Sequence, residues 1–135
     1  NNVRSLFYSK ETNDKAQIDF WILDKNNFSD SIPIIRLKIA DAWTREEVYL
    51  ALEPNAFFVN KDTFEITWVD YENDMKGKFN YIQRGPINDF DFARDIYNSI
   101  SNNIGLFYKN IPLFDEESKE AFRITFKDYS KWISK

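Results

Sequence analysis

Chemistry in this chain of 135 residues has to come from carboxylates, amides, hydroxyls, cationic side chains and aromatic rings, because it contains neither Cys nor His. Their absence removes thiol nucleophiles, Ser-His and Cys-His pairs, thiolate zinc sites and histidine pH switches. Carboxylates can still work in pairs, as general acid with base or nucleophile. The densest pairs are Asp89 with Asp91 and Glu116 with Glu117. The first also suits a helix's opening turn and the second a solvated loop, so neither pair requires a catalytic explanation. Asp70, Glu72 and Asp74, followed by Gly77, place oxygen ligands at alternating positions, as a calcium loop does. The sixth position lacks glycine, however, and Tyr81 stands where the final carboxylate belongs, so a polar turn is the simpler reading. The three glycines, Gly77, Gly85 and Gly105, are isolated from one another, and no phosphate-cradling loop exists. No metal and no cofactor is expected.

The aromatic content is the other chemical resource, at 18% of the chain with 13 Phe, 7 Tyr and 4 Trp. Most of these rings alternate with polar residues and read as core. If one sheet face is left uncovered, Trp21, Tyr49 and Tyr71 are candidates for an exposed aromatic platform. Such rings supply large contact area at small entropic cost, which suits a partner protein or a flat apolar ligand. The competing reading is a two-sided core with a helix over the second face.

The charge balance narrows the partners. Eighteen basic residues stand against 22 acidic ones, a net charge of −4, with both signs interspersed. No basic stripe marks a nucleic-acid footprint. Lys127, Lys131 and Lys135 recur at near-helical spacing with Asp128 among them, a solvated helix face. No apolar run approaches the roughly 18 residues of a membrane span. The lack of Cys is compatible with either side of a membrane, and a chain that starts at Asn1 leaves room for a removed leader. Asn27, Phe28 and Ser29 match the glycosylation sequon.

The elements that must position these residues follow from periodicity. Alternation over residues 3–8 and 17–23, around a polar loop at 9–14, reads as a hairpin. Ile35, Leu37 and Ile39 face inward, with Arg36 and Lys38 outward. Thr44 through Glu47 form a capping-box pattern, but Val48, Leu50 and Leu52 alternate and Pro54 would cut a helix short, so a strand over 48–52 is preferred. Further strands are expected at 57–59, 64–69 and 78–83, with a turn at 73–77. The period then changes: Phe90, Ala93, Ile96, Tyr97, Ile100 and Ile104 form a helical stripe, with Asn88 as N-cap, Asp89 and Asp91 in the first turn, and Asn102 and Asn103 closing it. Residues 105–108 and 121–126 read as strands before a short helix from Asp128. One helix from Glu116 to Lys135 fits the same residues. The expectation is a single domain over 1–135 of α+β class. It is mainly antiparallel β, a sandwich or curved sheet of about eight strands, with one packed helix near 89–103 and a C-terminal helix.

The run of strands at 34–39 and 48–52, then Ile66 through Asp70, then a helix, an apolar strand and Phe122 through Phe126, resembles a group of small exported bacterial β-domains. These are of the invasion-associated locus B and type VI secretion-associated lipoprotein kind. The resemblance spans roughly residues 33–134; such proteins often carry a cysteine pair, and Lys38 stands near one expected position. It implies an exported, non-catalytic accessory role. The expected function is a non-enzymatic binding or protein-interaction module whose partner is another protein, with export to the periplasm or cell surface favoured. Two alternatives stay open: a small carboxylate-dependent hydrolase or lyase on a sugar or peptide, and an acidic inhibitor or immunity protein facing a basic partner.

Overall fold

Period-two alternation forms strands here, and it forms them in two groups. The computed structural model describes residues 7–133. The first sheet contains β1 (Tyr8–Asn13), β2 (Ile18–Leu23), β3 (Ile35–Ala42) and β4 (Glu47–Pro54), paired in chain order. The second contains β5 (Thr63–Asp70), β6 (Met75–Ile82), β7 (Gly105–Tyr108) and β8 (Ile111–Pro112), in the order β6-β5-β7-β8. Every pairing is antiparallel. Helix α1 (Pro86–Ser101) joins β6 to β7, and α2 (Glu116–Ile133) ends the described chain. The α+β class, the eight antiparallel strands and the packed helix are as the sequence implies.

Four local expectations are corrected. The first hairpin uses 8–13 rather than 3–8 as its leading strand; residues 3–6 lie outside the described residues. The polar stretch from Ser9 is extended because β1 is an edge strand that buries Tyr8 and leaves its other side chains in water. Residues 57–59 are not a strand. Asn55, 1% exposed, folds them into a turn by donating its side-chain amide to the carbonyls of Ser29 and Ile32, both at 2.7 Å. Phe58 then packs between Phe64 and Tyr108, with ring centroids 4.7 and 4.3 Å away. Helix α1 begins earlier than Asn88, with Gly85 (φ 122°) as N-cap and Pro86 in the first turn, where its missing N–H is harmless. Residues 121–126 belong to the single long α2, so the terminal helix is not short.

The start of α2 explains that last outcome. Asp115 accepts the Ser118 amide at 2.8 Å, and the Ser118 hydroxyl accepts the Asp115 amide at 3.0 Å, a reciprocal cap that satisfies orphan donors at the first turn. From there Ala121, Phe122, Thr125, Phe126 and Tyr129 fall on one buried stripe. The end of α1 is closed as expected: Asn103 takes φ 57°, and the amide of Ile104 reaches back to the Ser99 carbonyl at 2.9 Å. The hairpins turn without glycine. Gln17, Glu46 and Asp74 each hold a left-handed φ at the last turn position before β2, β4 and β6, and Lys109 with Asn110 make a two-residue turn between β7 and β8.

Register fixes what each face does. Ile35, Leu37 and Ile39 of β3 lie 1% exposed and pair with Pro54, Leu52 and Leu50 of β4, making the face on which the helices pack. The opposite face carries Phe20, Ala40 and Tyr49 in one cross-strand row. Helix α2 lies mainly on β3, while α1 lies on β4 and reaches β6 and β7 of the second sheet. One face of α1 therefore sends Phe92 to Phe64 and Tyr81 of the second sheet, and another stacks Phe90 and Tyr97 on Phe126 of α2. In the second sheet, Gly77 sits opposite Trp68 because the indole lies across its backbone; a Cβ there would meet that ring at 2.6 Å.

Ile96 is fully buried in this junction, whereas Arg94 is about half exposed and makes surface pairs with Asp91 at 3.4 Å and Asp95 at 3.8 Å. Ile96→Ala should lower the urea unfolding free energy by about 2–5 kcal/mol. Arg94→Ala should change it by less than about 0.5 kcal/mol, since surface pairs contribute little. Equal midpoints for the two variants would contradict the placement of α1.

Candidate functional site

The residues singled out in the sequence are not brought together. Trp21 pairs with Ile39 and faces the helices, whereas Tyr49 pairs with Ala40 on the opposite face. Tyr71 is 70% exposed in the β5–β6 turn of the other sheet. On the outer face of the first sheet, cationic side chains lie over the rings: Lys38 over Phe20 at 4.7 Å and Arg36 over Phe28 at 4.0 Å. Both cations in turn approach Glu53. That face satisfies itself and offers no bare platform.

The loop Asp70, Glu72, Asp74 is a plain polar turn. Asp70 accepts the side-chain amide of Asn73 at 2.9 Å and its backbone N–H at 3.2 Å, bonds that hold its carboxyl below the ordinary range. Among the described residues no three carboxylates converge to hold a metal ion. Asp89 and Asp91 separate completely. Asp91 is exposed and paired with Arg94, and Asp89 is 8% exposed inside the molecule.

Asp89 is a carboxylate whose pKa is raised, and its surroundings explain why. One oxygen accepts the Tyr81 hydroxyl at 2.6 Å and the other the Leu52 amide at 3.2 Å. Burial pushes its pKa up, and the two hydrogen bonds only partly counter it. Burial, then the neighbouring Asp89, also pushes the Tyr81 phenol up, so it remains a donor at neutral pH. Both oxygens are used within the protein, between β4, β6 and α1. This carboxylate is a structural latch.

A concave feature with a mostly apolar lining lies elsewhere, along α2. Phe7, Leu23, Ala121 and Ile124 line a groove of about 770 Å³ between the end of β2 and the helix. Asp24, Glu116, Glu117, Glu120 and Asp128 also line it, and Lys25 is the one cation among its lining residues. Helical geometry makes the arrangement: Glu117, Glu120, Ala121, Ile124 and Asp128 recur at spacings of three and four on one side of α2. The eleven helical rises from Glu117 to Asp128 give a groove wall of roughly 16 Å. At one end the Tyr8 hydroxyl donates to Asp128 at 2.7 Å, tying β1 to the last turns of α2. At the other, the cap residue Asp115 accepts a side-chain hydrogen bond from Asn27. Burial alone would raise the Asp115 carboxyl, but the Ser118 amide and hydroxyl and Asn27 together bring it below its ordinary value.

Several rim acids carry local partners. Glu120 is bound by Arg123, whose hydrogen bonds lower the Glu120 pKa, and Glu116 lies 3.1 Å from Lys119. The pair Glu116 and Glu117, read from sequence as a solvated loop, is the first turn of α2 and part of this rim. The groove itself was missed. Its walls come from residues about a hundred positions apart, and only the helical reading of 116–135 would have aligned Glu117, Glu120, Ile124 and Asp128. No family model, curated protein or solved structure matches the chain.

The latch predicts a pH dependence. A carboxyl whose folded pKa exceeds its unfolded value stabilises the fold fully below the unfolded pKa, near 3.9, and loses that contribution as pH rises through the folded value. The stability of the wild type relative to Asp89→Asn should therefore fall from acid towards neutral pH, as read by urea unfolding at several pH values. Tyr81→Phe, which strands one buried carboxylate oxygen, should cost about 1–3 kcal/mol. A wild-type advantage that instead grows with pH would contradict a desolvated carboxyl at this position.

Proposed function

We propose that this domain is a non-enzymatic protein-interaction module that docks its partner in the groove between β2 and α2. The observation that carries the reading is the groove's construction. Apolar side chains, including Phe7 at 57% exposure, form a lining with carboxylates around it. An apolar centre with a polar rim is the common anatomy of protein docking sites. The carboxylate with the raised pKa, Asp89, is held by Tyr81 and Leu52 away from this groove, which weighs against acid–base work there. An exported accessory role, implied by the resemblance to small exported bacterial β-domains, belongs to the same reading.

A photo-crosslinking side chain at position 124, with a control at the exposed Lys78 on the second sheet, tests the reading in source cells. The expected result is one discrete protein adduct from position 124 and none from position 78. Hydrolytic and lyase substrate panels should stay at background. A robust turnover abolished by substituting a single carboxylate would overturn the reading in favour of a carboxylate enzyme.

A further inference from the structure

We infer that the occupant of this groove is a basic amphipathic helix of a partner protein, about three turns long. The inference rests on the docking reading above and adds the partner's chemistry. Length comes first. The wall formed by Glu117 to Asp128 is roughly 16 Å, which matches about eleven residues of helix at 1.5 Å each.

Shape and chemistry agree. The apolar lining is a strip: Ala121 and Ile124 lie one turn apart on α2, facing Phe7 and Leu23 across the groove. A helix laid along α2 meets such a strip with residues at i, i+3 or i+4 and i+7. Ala121 is only 2% exposed, so the half-buried Ile124 is the apolar side chain that α2 offers an incoming helix.

Charge selects the sign of the partner. Five carboxylates and one lysine line the groove. Glu116 is 91% exposed at its side chain, and Glu120 is 54% exposed although paired with Arg123. The field of this cluster favours Lys or Arg on the flanks of the incoming helix and repels an acidic one. Glu116 and Glu117 also stand in the N-terminal turn of α2, where the helix dipole favours negative charge. An incoming helix running antiparallel to α2 would bring its own C-terminal turn, the natural place for Lys and Arg, next to them.

The experiment uses the full chain and three side-chain-stapled synthetic helices of about fourteen residues, long enough to offer three turns. One carries an apolar stripe flanked by Lys and Arg, one the same stripe flanked by Glu, and one a scrambled basic sequence without a stripe. Affinity is read by fluorescence anisotropy. The stripe-bearing basic helix should bind, and the other two should bind at least about tenfold more weakly. The surface variant Glu116→Gln/Glu117→Gln/Glu120→Gln, which leaves the core untouched, should weaken the basic helix by about tenfold, and raised salt should do the same as screening shortens the reach of the rim charges. Ile124→Asp, checked for folding by urea unfolding, should abolish binding.

Equal binding of the acidic and basic helices, or indifference to both salt and the triple Gln variant, would overturn the charge assignment. The adduct from position 124 would then still stand for docking, so the two failures are separable. Equal binding of the scrambled helix would overturn the amphipathic assignment. Concentration-dependent dimerisation abolished by Ile124→Asp would assign the groove to a second copy of the chain and overturn the partner proposed.

Discussion

A single buried carboxylate joins the parts of this molecule. Asp89 on α1 receives the amide of Leu52 from the first sheet and the hydroxyl of Tyr81 from the second. Helix α1 packs on β4 of the first sheet and on β6 and β7 of the second. The hydrogen bonds set the angle at which the helix enters, and the aromatic contacts of Phe92, Phe90 and Tyr97 then fill the space that angle leaves. A buried polar group of this kind adds specificity at the expense of desolvation. The raised pKa of Asp89 is the visible sign of that expense.

From this junction the groove follows. With α1 fixed between the sheets, Phe126 is stacked between Phe90 and Tyr97, which fixes the rotation of α2 about its axis. Phe122, Phe126 and Tyr129 are buried, as is Ala121, and the half-buried Ile124 lines the groove beside the end of β2. Phe114 holds a left-handed φ of 73° immediately before α2, a strained conformation for a bulky residue. It is held by its amide on the Pro33 carbonyl at 2.9 Å and by packing on Phe122. The chain thus accepts local strain where β8 turns into α2, and the helix start is pinned again by Asp115 and Ser118. A surface built on a helix fixed at both ends is preorganised, which lowers the ordering cost of binding.

Strands and the first helix were legible because their patterns are strong. Ile35, Leu37 and Ile39 alternate cleanly, and Ile96 with Ala93 follows the helical period. Where the pattern was weak, other physics decided. Ser9 to Asn13 carries no inward apolar residues, yet edge pairing to β2 extends it. Phe57 to Val59 has strand composition, yet Asn55 captures two carbonyls and turns the chain. Residues 121–126 alternate as well as a strand does, and the reciprocal Asp115–Ser118 cap upstream was the missed signal for helix. The hairpin turns lack glycine, so their left-handed positions at Gln17, Glu46 and Asp74 leave no mark in composition. For the site, residue types were visible and proximity was not: Trp21 and Tyr49 differ in parity across β3, which puts them on opposite faces, and Leu23 meets Ile124 only through the tertiary fold.

The central claim is that α1, through Asp89, makes two sheets and the groove helix one cooperative unit. Native-state amide exchange under rising denaturant tests it most directly, since each amide reports the free energy of the opening that exposes it. The account predicts that the Leu52 amide, the core amides of β3 and β5, and those of mid-α1 and mid-α2 converge on one opening free energy, with only the β1 edge exchanging earlier. A second sheet that opens at a distinctly lower free energy while β3 and β4 stay protected would contradict it.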